Sequence, residues 1–163
     1  MRLTSFTDYA LRTLMYLAMN RDRLVTISDI ADDHGIARNH LTKVVNHLGH
    51  LGYVETVRGR AGGLRLGMEP EDIVIGEVVR HTETDFHMAA CFDKSAAACA
   101  YSSACALKSL LGRATDSFMR ELDGATLADM VKREVPRKGK HGAVPGAIKA
   151  VPVKITTVRR KSA

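Results

Sequence analysis

The order of segments between residues 26 and 66 constrains the fold most: a short helix, a tight turn, a longer amphipathic helix and a hairpin. Thr26 can cap a helix over residues 27–34, because Asp29 follows three residues later and Gly35 suits the left-handed position after its end. The next helix is predicted over residues 38–51, where apolar residues recur on one face. This order predicts a mainly α-helical, winged helix–turn–helix fold, whose second helix enters the major groove of DNA.

The hairpin after these helices is predicted to be the wing. Residues 53–57 are expected to form a strand, residues 58–63 a glycine-rich turn and residues 64–66 a return strand. Glycines let a backbone approach phosphates closely, and arginines suit a narrow, electronegative minor groove. The alternative is an ordinary hairpin with solvated arginines, but three arginines within residues 58–65 favour contact with DNA.

The longer helix carries a polar face opposite its apolar stripe, and this face is the candidate reading surface. The N-terminal end of a recognition helix reaches base edges, where asparagine pairs with adenine and lysine reaches guanine or a phosphate. A solvated face on a core helix is the alternative, which the preceding turn and the following basic hairpin make less favourable. The candidate DNA-binding residues are Arg38, Asn39, Thr42, Lys43, Arg58, Arg60 and Arg65. Ala37 is a poor N-cap for this helix.

Charge is distributed unevenly along the chain. Residues 132–163 contain ten Lys and Arg against one acid, whereas residues 1–131 contain fourteen against seventeen. Within this acidic body, residues 38–66 carry five basic side chains, and Glu55 is their single acidic one. A basic stripe in an acidic domain indicates nucleic-acid binding. The basic end, with its prolines and glycines, is predicted to be a disordered tail that either adds phosphate contacts or is merely solvated.

Helical patterns also flank the winged segment. The first helix is expected to begin near Ser5, which has capping-box spacing to Asp8. Pro70 and Asp72 are expected to open a further helix. A long helix with an apolar stripe is predicted over residues 106–122, followed by one or two short helical turns.

All three cysteines lie in one alanine-rich segment. Cys91, Cys99 and Cys105 have the spacing C-x7-C-x5-C, and an odd number of cysteines argues against a disulfide framework. Three thiolates can hold zinc or an iron–sulfur cluster, although both usually take four protein ligands. Three unrelated buried cysteines are the alternative. The spacing alone is compatible with either interpretation.

Four parts of residues 1–131 together resemble a known family. They are the opening MRLTSFTDYALR, the wing VRGRAGGLRLG, the three cysteines and the ending FMRELDGATLADMV. With these parts the chain resembles the iron–sulfur winged-helix repressors of the IscR/NsrR/RirA family, and most of all their nitric-oxide-sensing branch. The resemblance implies a homodimer that binds an inverted-repeat operator in double-stranded DNA. It further implies one cluster per chain, whose nitrosylation lowers operator affinity and derepresses the target genes.

The resemblance also implies a ligand set. Cys91, Cys99 and Cys105 would be joined by Asp8 of the partner subunit, since Lys108 stands where another branch has a histidine ligand. The alternatives for Asp8 are a capping box with Ser5 or an ion pair with Arg12, four residues later. His87 is a spare candidate. We favour a 4Fe–4S cluster, and a 2Fe–2S cluster is compatible with the same ligands.

The division expected from pattern and resemblance has four parts. Residues 1–80 form the winged helix–turn–helix domain, residues 81–105 the cluster-binding segment, residues 106–131 the dimerisation helix region and residues 132–163 the tail. The stripe on the long helix could equally pack on its own domain.

The leading interpretation is a nitric-oxide-sensing repressor rather than an enzyme. A regulator sensing iron or cluster supply is the first alternative, a small iron–sulfur redox protein the second and a zinc-stabilised DNA-binding protein the third. No apolar run is long enough to span a membrane, and no secretion signal is recognisable, so a cytoplasmic protein is expected.

Overall fold

The computed structural model describes residues 2–93 and 105–132. Within these ranges the chain forms helices and one antiparallel hairpin. The helices are α1 (Ser5–Met19), α2 (Ile27–His34), α3 (Arg38–His50), α4 (Ile75–Thr82), α5 (Ala106–Asp123) and α6 (Leu127–Val131). The strands are β1 (Val54–Val57) and β2 (Gly63–Leu66), and short 3₁₀ turns cover Pro70–Asp72 and Ala90–Phe92. The predicted winged helix–turn–helix architecture is confirmed.

The start of α1 differs from the prediction in its cap. Thr4, not Ser5, is the N-cap: its backbone is extended, and its hydroxyl accepts a hydrogen bond from the Thr7 amide at 3.3 Å. Because Ser5 already lies inside the helix, its capping box with Asp8 does not form. The cap residue is itself anchored, since the Thr4 amide donates to the Glu83 carboxylate at 2.7 Å.

The helix–turn–helix forms as its capping residues predict. Thr26 and Asp29 exchange hydrogen bonds in a capping box at the start of α2. Gly35 takes the left-handed conformation, with φ of 65°, and so turns the chain towards α3. Ala37 precedes α3 with no side-chain cap, as expected. The helix is held by its apolar face instead, through the buried residues Leu41, Val44, Val45 and Leu48.

The wing is a two-stranded hairpin attached to the body by an extra bridge. Val25 and Leu64 exchange backbone hydrogen bonds of 3.0 and 2.7 Å, which ties the hairpin to the loop before α2. Leu64 is buried on the inner face of the hairpin, and its neighbour Arg65 is exposed on the other face. At the turn, Gly59 adopts φ of 120°, a conformation that favours glycine.

The segment between the wing and α4 corrects a second prediction. Pro70 and Asp72 form a separate 3₁₀ turn rather than the first turn of α4, because Ile73 and Val74 are extended. These extended residues have a partner: the amide of Leu127 donates to the carbonyl of Ile73 at 2.8 Å. Leu127 is fully buried, so α6 packs into the core of the winged domain.

Helix α5 leaves the winged domain with little of its surface covered. At its C-terminal end, Asp123 receives a bidentate ion pair from Arg80 of α4, at 2.6 and 2.7 Å. Towards its start, Leu107 and Leu110 are 61% and 54% exposed. Within the described ranges, no helix is long and apolar enough to cross a membrane.

Candidate DNA interface and cysteine site

The N-terminal half of α3 presents the predicted reading surface to solvent. Arg38, Asn39, Thr42 and Lys43 are all exposed. The Thr42 hydroxyl donates to the Arg38 carbonyl at 2.9 Å, which leaves its oxygen lone pairs as acceptors. The Arg38 guanidinium lies 3.7 Å from Asp32, and both side chains are more than half exposed. Such an exposed pair is weak, so a DNA phosphate or base can replace it.

The three wing arginines do not have equal surroundings. Arg65 donates from Nε and Nη2 to the two oxygens of Glu55, at 2.9 and 3.0 Å. These hydrogen bonds and the arginine charge hold the pKa of Glu55 below its ordinary value. Arg58 and Arg60 are exposed near the turn, and neither has an ion-pair partner in the part of the chain that the structure describes. The free positive charge of the wing therefore lies at its turn.

A groove separates α3 from β1 and lies beside the candidate reading surface. Its volume is about 540 Å³, and Val45, Val54 and Leu64 are among its apolar lining residues. Polar residues also line it, namely Thr42, Asn46, His50, Glu55 and Thr56. The recognition helix and the wing are therefore separated by a cleft that has an apolar floor and a polar rim.

The C-terminal end of α4 supports the recognition helix from behind. His47 of α3 makes a 2.9 Å hydrogen bond from Nε2 to the carbonyl of His81, and its ring meets Phe6 of α1 edge-on with centroids 5.4 Å apart. The hydroxyl of Tyr53, just before β1, lies 3.1 Å from Nδ1 of His81. Sequence reasoning missed this junction because no local pattern links residues 34 positions apart.

The predicted fourth ligand, Asp8, is paired within its own helix. Arg12 donates to it from Nε at 3.0 Å, and the second guanidinium contact is also 3.0 Å. The two side chains are 44% and 46% exposed. The ion-pair alternative for Asp8 is therefore confirmed for the single chain. Such an i,i+4 pair is worth about 0.3–0.5 kcal/mol, so it does not prevent Asp8 from taking another partner.

Two of the three cysteines lie within the described residues. Cys91 is part of the 3₁₀ turn Ala90–Phe92, and Cys105 is the N-cap of α5. Both are free thiols and partly buried. Cys99 lies outside the described residues, as does the predicted tail from residue 133 onward. Among residues 2–93 and 105–132, no three His, Cys, Asp or Glu side chains are grouped to hold a metal.

The surroundings of Cys105 nevertheless fit a thiolate ligand. Its sulfur accepts a hydrogen bond of 3.4 Å from the backbone amide of Lys108, in the first turn of α5. The sulfur therefore caps the start of α5, and the helix fixes its position. His87 is less suited: it is exposed, and its Nδ1 lies 3.8 Å from Asp85. The donor set centred on cysteine suits zinc or an iron–sulfur cluster, which select soft thiolate ligands.

Comparison with known proteins places these features in one family. The family model Rrf2, described as an iron-dependent transcriptional regulator, matches residues 3–133. The chain is 52% identical over 135 residues to the HTH-type transcriptional regulator NsrR of Bacillus subtilis (strain 168), covering 82% of this chain and 92% of that protein. It is 44% identical over 133 residues to the NsrR regulator of Geobacillus kaustophilus, covering 81% of this chain and 90% of the relative.

Solved structures agree with the fold. The structure of T. potens IscR matches with a TM-score of 0.66 and 27% identity, covering 87% of this chain and 94% of that one. CymR of B. subtilis, the global cysteine regulator, matches with a TM-score of 0.66 and 25% identity, covering 80% of this chain and 96% of that one. These relatives are regulators and not enzymes, as predicted. The chain therefore belongs to the Rrf2 family of transcriptional regulators and is a DNA-binding regulator of transcription.

Proposed function

We propose that the protein is a cytoplasmic, homodimeric repressor whose iron–sulfur cluster senses nitric oxide. The observation that carries the DNA-binding part is the exposed polar start of α3, with Arg58 and Arg60 free of ion pairs among the described residues on the neighbouring wing. Family membership and the three cysteines support the sensing part. Nitrosylation lowers operator affinity in this proposal.

The two DNA-facing elements have different tasks. Asn39 and Lys43 on α3 read base edges in the major groove, with Arg38 at the helix start and the Thr42 oxygen as acceptor. The wing arginines supply contacts that do not depend on base sequence, because phosphates and the narrow minor groove attract positive charge.

Two copies of the chain read one operator. A two-fold symmetric dimer places two recognition helices on half-sites of an inverted repeat. The exposed Leu107 and Leu110 of α5 would be covered in that dimer. Burying them supplies the apolar contact that the single chain leaves open.

The cluster would be held by Cys91, Cys99 and Cys105, with Asp8 of the partner subunit as the fourth ligand. A 4Fe–4S cluster is the favoured type, and 2Fe–2S is the other candidate. When bound, the cluster supplies iron that reacts with nitric oxide. A carboxylate is a harder ligand than a thiolate and is displaced more easily. Asp8 lies on α1, which packs against α3, so its release from the cluster would act on the DNA-binding elements.

Operator binding by anaerobically purified protein tests this proposal. Iron and sulfide assays and the visible spectrum first establish the cluster, and they exclude a zinc site if iron is present. DNA selected from a random pool by the holoprotein then serves as the operator probe. Affinity should fall by about 5–150-fold after stoichiometric nitric oxide, which is the usual size of allosteric coupling. Equal affinity before and after nitric oxide would exclude nitric-oxide sensing.

A regulator of iron or cluster supply is the second candidate. The description of the matched family as iron-dependent favours it. Such a sensor responds to loss of the cluster itself, so chelation should change its operator affinity whereas stoichiometric nitric oxide should not. The same binding assay therefore separates the two functions.

A further inference from the structure

The two described cysteine segments touch through the side chains next to their cysteines. Phe92 directly follows Cys91, and Lys108 lies one helical turn after Cys105. The Lys108 ammonium is 5.8 Å from the centre of the Phe92 ring, within the range of a cation–π interaction. The amide of the same lysine donates to the Cys105 sulfur at 3.4 Å.

Gly112 extends this contact along α5. A Cβ atom placed on Gly112 would lie 4.0 Å from the Phe92 ring. Lys108 and Gly112 are four residues apart and so face the same side of the helix. The Phe92 ring therefore lies along α5 beside both residues, within van der Waals distance of a Cβ at position 112.

We propose that Phe92 and Lys108 form a clasp that positions Cys91 against Cys105 before any metal is bound. Neither residue contacts the metal in this proposal: both are positioning residues. The clasp has a task because the segment Ala90–Phe92 is a single 3₁₀ turn of three residues and is too short to fix its own position. It connects that turn to a stable helix and so limits where the Cys91 sulfur can move.

The inference rests on the proposed function in one respect: positioning the two cysteines is useful because they are taken to be cluster ligands. The clasp itself is a property of the chain without a cluster. A test on cluster-free protein therefore separates the failure of the clasp from the failure of the cluster assignment.

Thiol cross-linking measures the positioning directly. The full-length chain with Cys99→Ser keeps Cys91 and Cys105 as its two thiols. The reduced, cluster-free protein is treated with dibromobimane, which becomes strongly fluorescent after alkylating two thiols. The rate of one-thiol labelling by monobromobimane is the control, because it corrects for any change in thiolate reactivity. Circular dichroism confirms that each variant remains folded.

Paired variants distinguish a clasp from simple packing. Lys108→Met keeps the aliphatic stem but removes the charge, and Phe92→Leu keeps an apolar side chain but removes the ring. Each should slow the corrected cross-linking rate by about two- to five-fold, the factor expected for an exposed cation–π contact. Lys108→Arg and Phe92→Tyr should retain the rate of the parent protein, since both preserve a cation over a ring.

The same variants are then made with Cys99 restored. Cluster loss to a chelator should be faster in Lys108→Met and Phe92→Leu than in their conservative counterparts. Unchanged cross-linking in Lys108→Met and Phe92→Leu would overturn the clasp, and so would a parent protein whose thiols do not cross-link. Slower cross-linking in a protein that never binds iron would support the clasp while refuting the cluster.

Discussion

Arg65 lies directly opposite Glu55 in the antiparallel hairpin and donates to both of its carboxylate oxygens, at 2.9 and 3.0 Å. Its charge is therefore compensated inside the wing. Arg58 lies nearer the turn, with no ion pair among the residues that the structure describes. Two arginines that look equivalent in sequence thus differ in how much charge they can offer a phosphate.

Replacing each of these arginines by alanine should have unequal effects on DNA binding. Removing one arginine–phosphate interaction changes the slope of log affinity against log salt by about 0.9. Arg58→Ala should weaken binding and flatten that slope by about this amount, whereas Arg65→Ala should change the slope less. Affinity measured for operator and random DNA at several salt concentrations checks this. Equal flattening by both variants would instead assign Arg65 a direct phosphate contact.

Glu55→Gln is the matched test of the compensating partner. It removes the carboxylate at nearly constant size and releases the Arg65 guanidinium. We expect tighter binding to any DNA and a steeper salt slope, by up to about 0.9. Unchanged binding would mean that the pair lies beyond reach of the DNA backbone.

Helix α3 begins without a side-chain cap, and a substitution at its N-cap position can supply one. Ala37 has φ of −63° and ψ of 129°, the extended backbone that an N-cap residue requires. Ala37→Ser would place a hydroxyl near the free amides of the first turn and should raise the free energy of unfolding by about 1 kcal/mol. Urea unfolding at neutral pH measures the change. Thr26→Ala, which removes an existing cap on α2, should lower the free energy by a similar amount.

The elements that could be predicted are those whose ends are set by neighbouring residues in the sequence. Thr26, Asp29 and Gly35 fix both ends of α2 through hydrogen bonds and a left-handed turn, and their positions agree with the structure. The break between Pro70–Asp72 and α4 was not predictable in this way. It depends on a backbone bond from Leu127, which is more than fifty residues away.

The candidate site also has features that follow from local sequence and features that depend on distant contacts. The exposed start of α3 follows from its periodicity, since residues opposite a buried stripe face solvent. The compensation of Arg65 required knowing the strand register, and the junction of His47 with His81 required the packing of α4 behind α3. The spacing of the cysteines makes them candidate ligands in the sequence, but it could not show that Phe92 contacts Lys108.

His34 should make folding stability depend on pH. Burial lowers its pKa, the nearby charge of Arg12 lowers it further, and Asp33 and Asp8 act in the opposite direction. Its Nε2 atom is buried with no hydrogen-bond partner in the described ranges, while its ring packs edge-on against Tyr16. Protonation is thus harder in the folded state than in the unfolded state.

The sign follows from proton linkage. Below an unfolded-state pKa of about 6.5 the unfolded chain binds the extra proton, so stability is complete above this pH and falls as the pH is lowered through it. His34→Phe keeps a ring against Tyr16 and removes the titrating group. Urea unfolding between pH 5 and 8 should show a weaker pH dependence for this variant. An unchanged pH dependence in His34→Phe would remove His34 as the cause.

Truncation tests the basic end of the chain. Residues 136–163 contain eight Lys and Arg and no acid, so their removal should reduce sequence-independent affinity and its salt dependence. Operator preference should persist because α3 supplies the base contacts. The ratio of affinities for operator and random DNA is the measurement. A truncated protein that binds DNA without preference would show that the tail contributes to reading sequence.

Asp8→Ala tests how the signal reaches DNA. In the single chain Asp8 pairs with Arg12, and in the proposed dimer it is the ligand that joins the cluster to the partner's DNA-binding domain. Three cysteines remain in the variant, so iron, sulfide and visible absorbance should persist. The fall in operator affinity caused by stoichiometric nitric oxide should become smaller than the change of about 5–150-fold expected for the native protein. Arg12→Ala is the matched control, because it breaks the same ion pair but leaves the carboxylate free to bind iron; its response should stay close to native. A full response in Asp8→Ala would leave nitric-oxide sensing intact but exclude Asp8 as the coupling ligand, and His87→Ala would then be the variant to measure.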